Sequence, residues 1–118
     1  MTVRGWKAKI RRACREAGTY QPYFEAVIAS LAETLAQLDE VRAQYEFEGS
    51  EPVVEQTNKA GHTSTVKNPL LVLLMDLRSA ALGYYKELGL TPGGRTKLGL
   101  PPDPSAGGGK AKDPMFGD

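Results

Sequence analysis

Six basic side chains crowd the first seventeen residues: Arg4, Lys7, Lys9, Arg11, Arg12 and Arg15. On a helix, Arg4, Lys7, Arg11 and Arg15 fall on successive turns, and Lys9 and Arg12 widen the patch. Such a stripe neutralises phosphates, with affinity that falls steeply as salt rises. It also suits a solvated helix face, or one that pairs with an acidic surface on a neighbouring copy. Lys59 and Lys67, with Arg95 and Lys97, are further candidates for phosphate contact. Trp6 can stack on a base or sugar, or dock the helix onto the rest of the protein. A membrane surface also accepts basic amphipathic helices, but the apolar face here is mostly alanine, a weak anchor.

Bond-making chemistry finds little to work with. The one histidine, His62, has no evident orienting partner, and the one cysteine, Cys14, lies on an apolar helix face. Nucleophilic catalysis needs a base and a group that orients it. A zinc site needs about four ligands at close spacing, and the sequence "GGRTKLG" lacks the lysine-serine/threonine end of a phosphate loop. Carboxylate pairs such as Asp39 and Glu40 read as a solvated face. The expectation is a chain with no catalytic residue, no metal and no cofactor. A single cysteine suits a reducing compartment, and no apolar run approaches the roughly 18 residues of a membrane span. The basic start has no apolar core of a signal peptide.

The elements that must hold these residues follow from punctuation and period. Trp6, Ile10, Ala13, Cys14 and Ala17 predict a helix over 3–17, stopped by Gly18. Ile28, Leu31, Leu35, Leu38 and Tyr45 predict one long helix over 19–48, capped by Thr19 or started by Pro22 and ended by Gly49, Ser50 and Pro52. At ~1.5 Å per residue it is roughly 40 Å long, as long as a compact domain of this size is wide. Residues 53–66, rich in Val and Thr around the turn-like "NKAG", predict a short β-hairpin. Asn68 and Pro69 then start a helix that runs to Leu88 and ends at Gly89. Thr91 and Pro92 start a short final turn that Leu98 and Gly99 close.

That second long helix raises the question of its cover. Its apolar arc takes more than half the circumference, whereas one partner helix buries a stripe of about 100°. One side is expected to pack on the chain's own long helix. The other, with Leu71, Leu74, Met75, Leu82 and Tyr85, is expected to meet a neighbouring copy; an unusually apolar but self-contained helical hairpin is the plainer reading. The tail over 100–118, rich in Pro and Gly, is expected to be disordered. Met115 and Phe116, its bulky apolar pair, suit a partner-binding anchor as well as an inert end.

Charge is distributed in blocks. Residues 1–17 hold six bases against Glu16, a net +5; residues 18–58 hold eight acids against Arg42, a net −7. Residues 59–100 hold six bases against Asp76 and Glu87, a net +4, so the overall +1 hides strong alternation. Alternation of this kind suits a charged partner or pairing between copies.

The stretch "TVKNPLLVLLMDLRSAALGYYKELGLTPGGRTKLG" resembles the C-terminal half of phage terminase small subunits. Lys67-Asn68-Pro69 match a helix start of that family, and Leu88-Gly89-Leu90-Thr91-Pro92, Arg95 and Leu98 match its ending. The resemblance covers roughly residues 20–99. It implies a non-catalytic homo-oligomer, ring-like, that recognises double-stranded viral DNA and hands it to a large subunit carrying ATPase and nuclease, in the cytoplasm of the infected bacterial host. The organisation expected is mainly α: a basic N-terminal helix or arm over 1–18, a helical oligomerisation domain over 19–99 with the hairpin inside it and its two main helices antiparallel, and the tail. A small dimeric DNA-binding transcription regulator, or an antitoxin-like repressor, is the alternative; it would bind a short palindrome. A pure protein-interaction module is a third.

Overall fold

The computed structural model describes residues 1–103, so Met115 and Phe116 lie outside the described residues. The chain is mainly helical, with one two-stranded antiparallel sheet. Helix α1 spans Val3–Glu16, where the Thr2 hydroxyl caps the first turn by accepting from the Gly5 amide at 3.0 Å. Its inner face carries Ile10 and Cys14, both buried, with Val3 and Trp6 packed beside them.

The long helix is shorter than its periodicity suggests. Thr19 does not cap it: Thr19 is buried, and both its amide and its hydroxyl turn back to the Cys14 carbonyl at the end of α1. Pro22–Phe24 form a 3₁₀ turn, and α2 proper runs Glu25–Phe47. Gly18 makes the corner between α1 and this turn with φ of 73°. The apolar stripe of α2, Ile28, Leu31, Ala32, Leu35 and Leu38, is buried. Tyr45, at its far end, is only half-buried, and its hydroxyl donates to the Ser50 carbonyl at 3.0 Å.

Strand β1, Val53–Thr57, pairs with β2, Thr63–Lys67, so that Val53 faces Lys67 and Thr57 faces Thr63. Asn58 shapes the turn: its side-chain oxygen accepts from the Ala60 and His62 amides, both at 2.9 Å. The hairpin is exposed on both faces except for the cross-strand pair Val54 and Val66. It is held at its base by Asn68, 5% exposed. The Asn68 amide donates to the Pro52 carbonyl at 3.0 Å and its side-chain nitrogen to the Glu51 carbonyl at 2.9 Å. Its side-chain oxygen accepts from Leu70 at 3.0 Å, capping the next helix.

Helix α3, Pro69–Glu87, returns along α2, with Ala81 and Leu88 in the same core as Phe24, Ile28 and Leu31. Leu88, Ile28 and Leu31 are fully buried, each worth about 1.5–3 kcal/mol of apolar burial. One expectation for α3 is corrected here. Leu74, 2% exposed, belongs to the chain's own interior, and Tyr85 is half-buried against the core. Leu74 is therefore not free for another copy, while Tyr85 keeps part of its surface open.

Helix α4, Pro92–Lys97, folds back on the end of α3. The Thr91 hydroxyl caps it by accepting from the Gly94 amide at 2.9 Å. Gly94 is there for space: a Cβ would stand 2.4 Å from the Lys86 carbonyl oxygen. Arg95 then reaches inward. It is 5% exposed, its Nη1 donates to the Ala17 carbonyl at 2.6 Å, and its Nε donates to the Pro101 carbonyl. Arg95 is therefore a clasp between α4, the end of α1 and the chain leaving α4, and not a phosphate contact. The whole measures 67 × 32 × 23 Å with a radius of gyration of 19.6 Å, well above the ~13 Å of a compact domain near this size.

Candidate nucleic-acid interface

Helix α1 is no loose arm. Its buried face fixes which basic residues look outward, and they fall into three groups. Arg4, Arg12 and Arg15 are exposed on the side away from the core. Ala8, Arg11, Arg12, Arg15 and Glu16 line a shallow hollow of about 500 Å³ on that surface. Among these arginines Arg15 is steadied by an aromatic face, with its guanidinium 4.7 Å from the Tyr20 ring centre. A guanidinium held this way keeps its donors pointed at solvent and loses little freedom when it meets a phosphate oxygen.

Arg11 belongs to a second group. It forms a fork with the Glu25 carboxylate: Nε lies 3.1 and 3.0 Å from the two oxygens and Nη2 lies 2.8 Å from Oε1. The Tyr20 hydroxyl donates to the same carboxylate at 2.7 Å. The Arg11 guanidinium and the Tyr20 hydroxyl together hold the Glu25 carboxyl down at about 2, against an ordinary 4.5. Arg11 thus joins α1 to the start of α2, and its donors are largely committed. Trp6 is likewise committed to docking: its indole N–H donates to Asp39 at 3.0 Å, and its ring lies 5.1 Å from the Lys9 ammonium. Asp39 also faces the amino terminus at 3.6 Å and Arg42 at 3.8 Å.

The third group is dispersed. Lys7 is half-buried toward α2, and Lys9 points away from the arginine side. Lys59 sits in the hairpin turn while Lys67 pairs with Val53 at the base, so the structure does not bring the two together. Lys97 pairs with Glu87 at 3.6 Å, an exposed contact of small weight. Of the residues named from the sequence, Arg4, Arg12 and Arg15 share one free surface with the edge of Arg11, and the rest do not join it.

Sequence reasoning missed Glu25, Tyr20 and Asp39, the side chains that set the position of α1. Each meets its partner across the Gly18 corner or along the paired helices, separations that no helical period marks. Elsewhere, Cys14 is fully buried with its thiol pushed up by that burial, and His62 is exposed in the hairpin turn. No group of three potential metal-binding side chains occurs among the described residues. No helix among them is long and apolar enough to cross a membrane.

The model of one protein family, described as phage terminase, small subunit, matches residues 4–105 of this chain. No curated protein and no solved structure matches it.

Proposed function

The chain belongs to the phage terminase small subunit family, and from that premise we propose a non-catalytic, homo-oligomeric adaptor that grips viral DNA through α1. The family places the chain in phage DNA packaging. The finer reading is that several copies, arranged as a ring, hold double-stranded DNA and deliver it to a large subunit that carries the ATPase and nuclease. The work would be done in the cytoplasm of the infected host.

The observation that carries the DNA reading is the outward arginine surface of α1, Arg4, Arg12 and Arg15, on a helix that the Arg11–Glu25 fork and Trp6 hold rigidly in place. Rigid presentation matters because each phosphate contact is weak alone. A set of such helices in one assembly acts at high effective concentration along a single DNA molecule. Net repulsion between DNA and the acidic α2 then favours approach from the α1 side.

The test is DNA binding by fluorescence anisotropy over a salt series. Replacing Arg4, Arg12 and Arg15 together with Gln should lower the slope of log K against log salt by about 3 per subunit engaged, at ~0.9 for each phosphate no longer neutralised. An unchanged slope, or no binding by the unaltered protein at low salt, overturns the assignment. Light scattering should give a mass many times the 12.8 kDa of one chain; a monomer at micromolar concentration speaks against the adaptor.

A further inference from the structure

One flank of α3 is left without cover inside the chain. Met75 is 53% exposed and Leu82 49%, with Leu71 half-buried in the same row. Arg78 and Lys86, both exposed, complete that row. At 100° per residue the five fall within ~80° of one another. Helix α2 has a free row of its own, with Glu33, Glu40, Ala43 and Phe47 exposed and Ala36 half-buried. It also spans ~80°.

The two rows match in size and in charge. Along α3, Leu71, Met75, Arg78 and Leu82 are separated by steps of four, three and four. Going backward along α2, Phe47, Ala43, Glu40 and Ala36 are separated by the same steps. Laid antiparallel, one register sets Leu82 against Ala36 and Met75 against Ala43, a large side chain over a small one each time. The same register sets Arg78 opposite Glu40 and Leu71 opposite Phe47. Lys86 then falls one residue, ~1.5 Å of rise, from the level of Glu33. None of Arg78, Lys86, Glu33 and Glu40 has an ion-pair partner among the described residues. A hollow of about 530 Å³ between α2 and the first turn of α1, bounded by Val3, Ala36, Glu40 and Ala43, lies where Leu82 and Met75 would enter.

We propose that α3 of one copy packs antiparallel on α2 of the next, with Arg78 paired to Glu40 and Leu82 and Met75 seated over Ala36 and Ala43. The inference rests on the homo-oligomer reading and names the two surfaces that make it. Steps of three and four are those of a helical seam in which knobs enter holes. The mating surfaces are different, so the contact is heterologous and passes from copy to copy, closing only if the rotation between neighbours allows.

Charge reversal tests this without touching the core, because both side chains are exposed. Arg78→Glu and Glu40→Arg should each raise the dissociation constant at least tenfold in light scattering, with unchanged circular dichroism. In a mixture of the two, every contact between unlike copies joins opposite charges at positions 78 and 40, so alternating copies should regain assembly. The double variant carrying both changes should regain the assembly of the unaltered chain. If the unaltered protein assembles and both single reversals assemble equally tightly, the interface is wrong while the oligomer stands. Failure of the double variant to recover overturns the register. A monomeric unaltered protein removes both.

Discussion

The two ends of this molecule are built on opposite principles. At one end, α1, the 3₁₀ turn, α2, the end of α3 and α4 converge, and polar groups are knotted into the convergence. Arg95 reaches the Ala17 carbonyl, Gly94 lies against the Lys86 backbone, and Arg11 is forked onto Glu25. At the other end a two-stranded hairpin stands clear of the helices, tied at its root by Asn68 alone among buried polar residues. Phe47, 88% exposed, and Met75 lie toward that end as well. The contrast teaches where the free energy of the fold resides: in the knotted end, while the hairpin end carries surface that is not needed for the chain to fold.

The sharpest way to break that contrast is Arg95→Ala. It leaves the Ala17 and Pro101 carbonyls without the donor that satisfies them, at a cost of about 3 kcal/mol, read by urea unfolding. A loss below about 1 kcal/mol would show that the clasp is ornamental. Gly94→Ala should cost roughly 1–3 kcal/mol, because the added methyl forces α4 away from the Lys86 carbonyl. Asn68→Ala removes a cap and the root of the hairpin, at about 1–2 kcal/mol; hydrogen exchange should quicken in the hairpin and first turn of α3 and stay unchanged around α4. Glu25 gives a smaller, pH-dependent effect. Its carboxyl titrates lower in the folded chain than the ordinary 4.5. Its stabilisation is therefore complete above about 4.5 and is lost as pH falls toward about 2. The difference in Tm between the unaltered protein and Glu25→Gln should be flat at neutral pH and shrink across that window. Smallest of all, Val54→Ala should cost a few tenths of a kcal/mol, since that strand packs on little besides Val66.

Much of the helical skeleton was legible in the sequence because its signals are local. Asn68-Pro69 start α3, Gly89 ends it and Thr91-Pro92 start α4, each as the punctuation predicts. The hairpin and its "NKAG" turn were legible for the same reason. The start of α2 was not, because Thr19, a good cap by type, spends its hydrogen bonds on the Cys14 carbonyl of the preceding helix. Nor was the role of Gly94, which answers to a backbone from another element. The candidate site was half legible. Composition located the basic helix, but its period puts Arg4, Lys7, Arg11 and Arg15 on one stripe with Lys9 and Arg12 beside it, and does not single out Arg4, Arg12 and Arg15. That Arg11 and Arg95 serve the fold depends on partners at Glu25 and Ala17, which only tertiary structure brings near. Leu74 was misplaced because periodicity defines an apolar arc without saying which part of it faces the chain's own helix.

A body 67 Å long and 23 Å thick drags through solvent as a rod. On a sieving column calibrated with spherical standards, its friction would mimic a heavier particle, and a solitary chain would elute early. Elution volume would then overcount subunits, so stoichiometry for this protein must be weighed by scattered light or sedimentation equilibrium, where shape drops out.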